Sequence, residues 1–226
     1  MSIKTEKSRD PYDGVRPGSA ITHGVGIFLA CMAAIFLLPR AYASPLLGAL
    51  PAMAIYTGTL LALYTASTLY HSLRTNIRGR VALRKIDHLN IYYLIAGTYT
   101  PFCLLGLGGT LGIVLLTAIW SLAFIGTVVN LVWIHLPRWL TVAIYLIMGW
   151  IAIIVIYPLH QSIGGVGIFW LILGGVFYSV GGVLYAVKWP LRDHPKFGCH
   201  EIFHVFILLG SIAQFCAVLY TLPVGI

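Results

Sequence analysis

The sequence predicts an all-α integral membrane protein, a seven-transmembrane-helix bundle with a cytoplasmic N-terminus and an external C-terminus. Three observations carry that expectation. Hydrophobic residues fill 59% of the 226 positions and charged residues only 9%, whereas a soluble domain carries about a quarter charged residues. Seven apolar stretches are each long enough to cross a hydrocarbon core of about 30 Å. The fourteen Lys and Arg residues, finally, fall almost entirely on one side.

In chain order the predicted spans are Ser19–Leu38, Leu46–Leu73, Asp87–Leu107, Thr110–Ile134, Trp139–Leu159, Val166–Val187 and His200–Leu222. Residues 1–18 read as a polar cytoplasmic arm and residues 19–226 as a single transmembrane domain, because the short connections leave no room for a second soluble one. With the N-terminus inside, the cytoplasmic side receives Lys4, Lys7, Arg9, Arg16, Arg74, Arg78, Arg80, Arg84, Lys85, Arg138, Lys188, Arg192 and Lys196, and the other side Arg40 alone. That is a strong positive-inside asymmetry. The net charge of +8 is therefore a topology signal, and no nucleic-acid partner is implied. "AYASP" after the first span resembles a signal-peptidase site. The span is long for a signal's apolar core and begins with Ser19 and His23, so its retention is expected. Cys31, Cys103, Cys199 and Cys216 are scattered without a C-x-x-C pair and imply no disulfide framework.

With topology fixed, the polar residues can be placed by depth. His71 closes the second span, Asp87 and His88 open the third, and His200 and His204 open the seventh, all on the cytoplasmic side. His23, four residues into the first span, shares that layer. Ionisable residues within spans are costly and usually functional. His200 and His204 lie at i and i+4 on one helix face. A third imidazole, best supplied by His71, would complete a three-histidine zinc site with an open fourth position. Ser67, one turn before His71, would present its hydroxyl to the same place. Cys199 points about 100° away from that face and is set aside as a ligand.

The stretch HEIFH also matches the H-E-x-x-H helix of zinc metalloproteases, in which the glutamate is the general base. Here the match fails on its third ligand. The only Asp-Gly is Asp13-Gly14 in the polar arm, and neither an acid nor a histidine follows His204. Glu201 then reads as a helix-start acid serving the exposed N–H groups and the dipole, and Asp87 has the same ordinary explanation. A lone histidine at a span end is equally ordinary. The gathering of three histidines, an aspartate and a serine in one layer is what lifts the metal site above its parts.

"STLYHSL" (Ser67 to Leu73), "RKIDHLNIYYLIAGTYTPF" (Arg84 to Phe102), "HEIFHVFILLGSIAQF" (His200 to Phe215) and the opening "GSAITHGVG" resemble the bacterial hemolysin III proteins. Those belong with the progestin and adiponectin receptors and the alkaline ceramidases in a superfamily of membrane hydrolases. The resemblance implies a bacterial cytoplasmic (inner) membrane protein with intramembrane Zn2+ on His71, His200 and His204. It further implies Asp87 as the residue holding the metal's water and Ser67 as its neighbour. The bacterial pattern often has a histidine where this chain has Gln214, a departure away from the metal layer.

The activity implied is hydrolysis of a lipid amide or ester, with membrane lipids as partners and substrate entering between helices, its path shaped by Tyr92, Tyr93 and Tyr99. A receptor-like regulator of membrane or lipid homeostasis with structural zinc fits the same residues. A secreted cytolysin, which should be soluble before it inserts, does not fit this composition. Oligomeric state is not legible.

Overall fold

The computed structural model describes residues 15–132, 137–191, 194 and 197–223. Lys4, Lys7, Arg9, the Asp13-Gly14 pair, Arg192 and Lys196 lie outside them. Seven α-helices order the described residues: α1 Pro17–Ala43, α2 Ala49–Ser72, α3 Ile77–Pro101, α4 Gly109–Val132, α5 Arg138–Trp150, α6 Ile156–Val187 and α7 Cys199–Leu219. A π-helical turn, Phe102–Leu107, follows α3, and a 3-10 turn, Ile151–Val155, joins α5 to α6.

Five helical segments among the described residues are long and apolar enough to cross a membrane: Pro17–Ala43, Ala49–Ser72, Gly109–Val132, Trp139–Val187 and Cys199–Leu219. The fourth is 49 residues long, but it does not run straight. Gly164 within it has φ +69°, a conformation that costs glycine nothing and other residues much more. The Trp150 indole N–H donates to Ser179 Oγ over 2.9 Å. In a straight helix those residues would stand about 43 Å apart, so the chain folds back at Gly164, in the gap predicted between the fifth and sixth spans.

The third helix differs most from expectation. It begins at Ile77, ten residues before the predicted span, with Asn76 as N-cap accepting from the Gly79 N–H at 2.9 Å. The side-chain amide of Asn76 satisfies a backbone donor at the first turn, so Arg78 to Lys85 are helical rather than loop. Asp87 is consequently an interior helix residue and not a cap. Those charged early turns also keep α3 out of the apolar set.

Helix α1 packs on α2, α2 on α3, α3 on α4 and α5, α5 on α6, α6 on α7, and α7 back on α1. Large apolar side chains such as Phe28, Ile35, Phe124 and Ile154 are exposed on the outside, as lipid contact permits and water would not. One buried cluster draws on α1, α2, α6 and α7, around Leu37, Met53, Tyr56 and Leu159. A second draws on α3, α4 and α5, around Tyr92, Ala96, Ile119 and Met148. Between them lies a cavity of about 550 Å³, with residues of both clusters in its wall.

Candidate metal centre

Helix α7 begins at Gly198, and its first turn is held from outside as well as within. Glu201 Oε2 accepts the Gly198 N–H at 2.8 Å, the reciprocal half of a capping box. Its Oε1 accepts from Ser19 Oγ at 3.1 Å and pairs with the Arg16 guanidinium at 2.5 Å. Arg16 also gives its backbone N–H to the His71 carbonyl at 2.9 Å. One residue at the entry to α1 thus grips the last turn of α2 and the first turn of α7. Glu201 is only 1% exposed, which makes it the anchor of this layer rather than an ordinary helix-start acid.

The anchored ends carry the histidines. His71, in the last turn of α2, and His200 and His204, on successive turns of α7, are all buried. Each offers one ring nitrogen, and these atoms lie within 4.8 Å of one another. The Nε2 atoms of His71 and His200 are 3.3 Å apart. Two imidazole nitrogens on a tetrahedral zinc, each about 2.05 Å from it, would stand about 3.3 Å apart. The donor set therefore fits the predicted group: three imidazoles, closely spaced and shut away from the outside, could hold a metal ion.

His23 is the fourth imidazole of the layer. Its ring stacks on His204 with centroids 3.7 Å apart and meets Tyr64 edge-on at 5.1 Å. It supports His204 by ring packing and is not one of the three whose nitrogens converge.

The cavity brings the remaining predicted residues to the same place. Ser67, Asp87, His200, His204 and His23 all line it, while His71 is fully buried behind the wall. Ser67 is 1% exposed and its Oγ has no hydrogen-bond partner among the described residues. A helical serine commonly bonds back to the carbonyl four residues earlier, so this hydroxyl is held in reserve. Of the three tyrosines expected to shape a lipid path, only Tyr99 lines the cavity. Its hydroxyl donates to the Gly149 carbonyl at 2.8 Å and accepts the Ala152 N–H at 2.7 Å, fixing the α5 break. Tyr92 packs against Tyr145 instead, and the Tyr93 hydroxyl accepts from Thr127.

The haemolysin-III-related family matches residues 17–215, nearly the whole described chain. This chain belongs to the haemolysin III family. It is 42% identical to the "Hemolysin-3 homolog" of Bacillus subtilis (strain 168) over 202 residues, covering 89% of this chain and 92% of that protein. It is 38% identical to "Hemolysin-3" of Bacillus cereus, covering 91% of each. A shorter likeness, 35% over 52 residues, links it to the "ADIPOR-like receptor IZH2" of Saccharomyces cerevisiae, across 21% of this chain and 16% of that one.

Two members of the layer escaped the sequence analysis in this haemolysin III protein. Arg16 counted only as a topology charge, and Ser19 only as a polar residue opening a span. No spacing relates either to Glu201, which lies 185 and 182 residues away. The one local signal is Arg16 directly before Pro17 at the first helical position, which marks a helix entry but names no partner.

Proposed function

We propose that this haemolysin III protein crosses the bacterial cytoplasmic membrane seven times, N-terminus inside. In this proposal it holds Zn2+ on His71, His200 and His204 and hydrolyses a lipid amide or ester in the adjoining cavity. The observation that carries the reading is the 3.3 Å approach of the His71 and His200 Nε2 atoms beside His204, at the wall of a cavity large enough for one acyl chain. Bound there, zinc would polarise the substrate carbonyl and acidify water.

The chain's own groups supply the rest. The Asp87 carboxylate orients the attacking water and takes its proton as the new C–O bond forms. Ser67 Oγ, without a partner among the described residues, donates to the carbonyl oxygen as negative charge gathers on it. Asp87 then returns the proton to the departing amine or alcohol as the C–N or C–O bond breaks, giving a fatty acid and the free amine or alcohol. Phe102, Leu107 and Leu115 in the cavity wall hold the chain and keep bulk water out.

The test joins metal and product. Elemental analysis of purified protein should find close to one zinc per chain. Incubation with defined ceramides and N-acyl amines should release fatty acid detectable by mass spectrometry. Zinc without release under any substrate would favour a second reading, a receptor-like regulator with structural zinc, which the local likeness to the yeast receptor-named protein supports. For topology, a reporter active only in the cytoplasm should work when inserted in residues 73–76, between α2 and α3, and be silent after Ile226. An active C-terminal fusion would overturn the seven-span proposal.

A further inference from the structure

Beyond the histidines, α7 carries a second polar pair on the face they occupy. Steps of three and four residues lead from His204 through Ile207 and Ser211 to Gln214, and Ile207 and Gln214 line the cavity with the histidines. Ten residues of helix separate Gln214 from His204, about 15 Å.

Gln214 is buried, and its Nε2 donates to the Leu171 carbonyl of α6 at 3.1 Å. Only the amide nitrogen can make that bond, so it settles which end of the side chain faces α6. The other end, Oε1, is buried with no hydrogen-bond partner among the described residues, a costly condition for a strong acceptor. The arrangement is built for, since a Cβ on Gly174 of α6 would stand 2.6 Å from the amide nitrogen. No other residue at 174 leaves room for this side chain where it is.

One turn further along α6, Tyr178 also lines the cavity. Its hydroxyl lies 2.9 Å from Ser211 Oγ, which in turn accepts the Tyr64 hydroxyl at 2.7 Å. With Tyr64 donating to it, Ser211 can give its own proton to Tyr178, which turns the Tyr178 O–H outward as a donor. The wall thus offers an acceptor and a donor, one helical turn apart on α6 and three residues apart on α7. A hydroxyl group, which both donates and accepts, is a ligand that can use both.

We propose that Gln214 Oε1 and the Tyr178 hydroxyl form a second polar subsite at the deep end of the cavity, which binds a hydroxyl carried part-way along the chain of a lipid whose acyl carbonyl lies at the histidine layer. The proposal rests on the lipid-cavity reading above and narrows its substrate class to chain-hydroxylated amphiphiles.

The experiment is a binding competition on zinc-loaded full-length protein in lipid nanodiscs, with a fluorescent fatty acid displaced by stearic acid or by its mid-chain hydroxylated counterpart. The ratio of the two affinities is compared between wild type and variants, which cancels the probes' different partitioning into lipid. In wild type the hydroxylated chain should be favoured about tenfold relative to Gln214→Leu, the worth of one net hydrogen bond. Tyr178→Phe, which keeps the ring that packs α6 on α7, should reduce the preference by a smaller factor. If Gln214→Leu does not fold, Tyr178→Phe alone decides. An unchanged ratio in the variants, or equal binding of both chains by wild type, would overturn the subsite and leave the lipid cavity standing. Failure of wild type to bind either chain would overturn both.

Discussion

The carboxylates of Asp87 and Glu201 occupy opposite surroundings. Glu201 is sealed at the start of α7 with its oxygens engaged by Arg16, Ser19 and the Gly198 N–H. Asp87 sits eleven residues into α3, part-exposed, on the wall of the cavity. A carboxylate whose oxygens are already engaged, and whose charge is met by the Arg16 guanidinium, is committed to holding three helix ends together. The other faces a cavity shared with Ser67, His200 and His204, where it meets what enters.

The comparison breaks first at the metal. His204→Ala removes one of the three proposed ligands and should take zinc from about one per chain to a small fraction, read by elemental analysis. Equal metal in both proteins would void the premise that either carboxylate serves a metal centre. Next in size is Arg16→Ala, which leaves Glu201 buried without its counter-charge. Breaking such a pair typically costs about 3–5 kcal/mol, and the thermal midpoint in detergent should fall accordingly. The double variant Arg16→Met with Glu201→Met should recover much of the loss, because no orphaned charge remains.

Asp87→Asn should do the reverse of Arg16→Ala. Zinc content and thermal stability should stay close to wild type, while fatty-acid release falls by about two to four orders of magnitude, the usual worth of a general base. Should Glu201→Gln abolish turnover while folding and zinc persist, and Asp87→Asn spare it, the roles assigned here are exchanged. The smallest effect is expected at Asn76→Ala, where loss of the N-cap of α3 should cost about 1 kcal/mol. No loss there, with a comparable loss in Asp87→Ala, would return Asp87 to the role of a helix-start acid.

Much of this was legible from residue type and spacing alone. The apolar stretches located α2, α4 and α7 to within a few residues, and the break near Gly164 fell in the predicted gap. That His71, His200 and His204 come together was legible because depth in a membrane is one-dimensional and can be counted along each span. The start of α3 was missed because charged turns, Arg78 to Lys85, read as a loop to any scale that measures transfer into lipid. Helicity there comes from the Asn76 cap and from packing, which hydropathy does not register. The Arg16–Glu201 pair was missed for a related reason. It joins residues 185 apart in sequence, and only the closure of α1 against α7 makes them neighbours. Glu201 was consequently weighed at the about 0.3–1 kcal/mol of a dipole partner instead of as a buried anchor.

The grip of Arg16 has a consequence in time. It lies before the first helix, yet its partners are the carbonyl of His71 and the carboxylate of Glu201, on α2 and on the last described helix. A ribosome delivers those helices in order, so until α7 is inserted the entry to α1 holds only half of what it is built to hold, and His71 waits alone. The three histidines come together in a single late event, when the last described helix returns to α1. With zinc held there as proposed, metal acquisition marks finished biosynthesis, and a chain stalled before α7 carries no site to load.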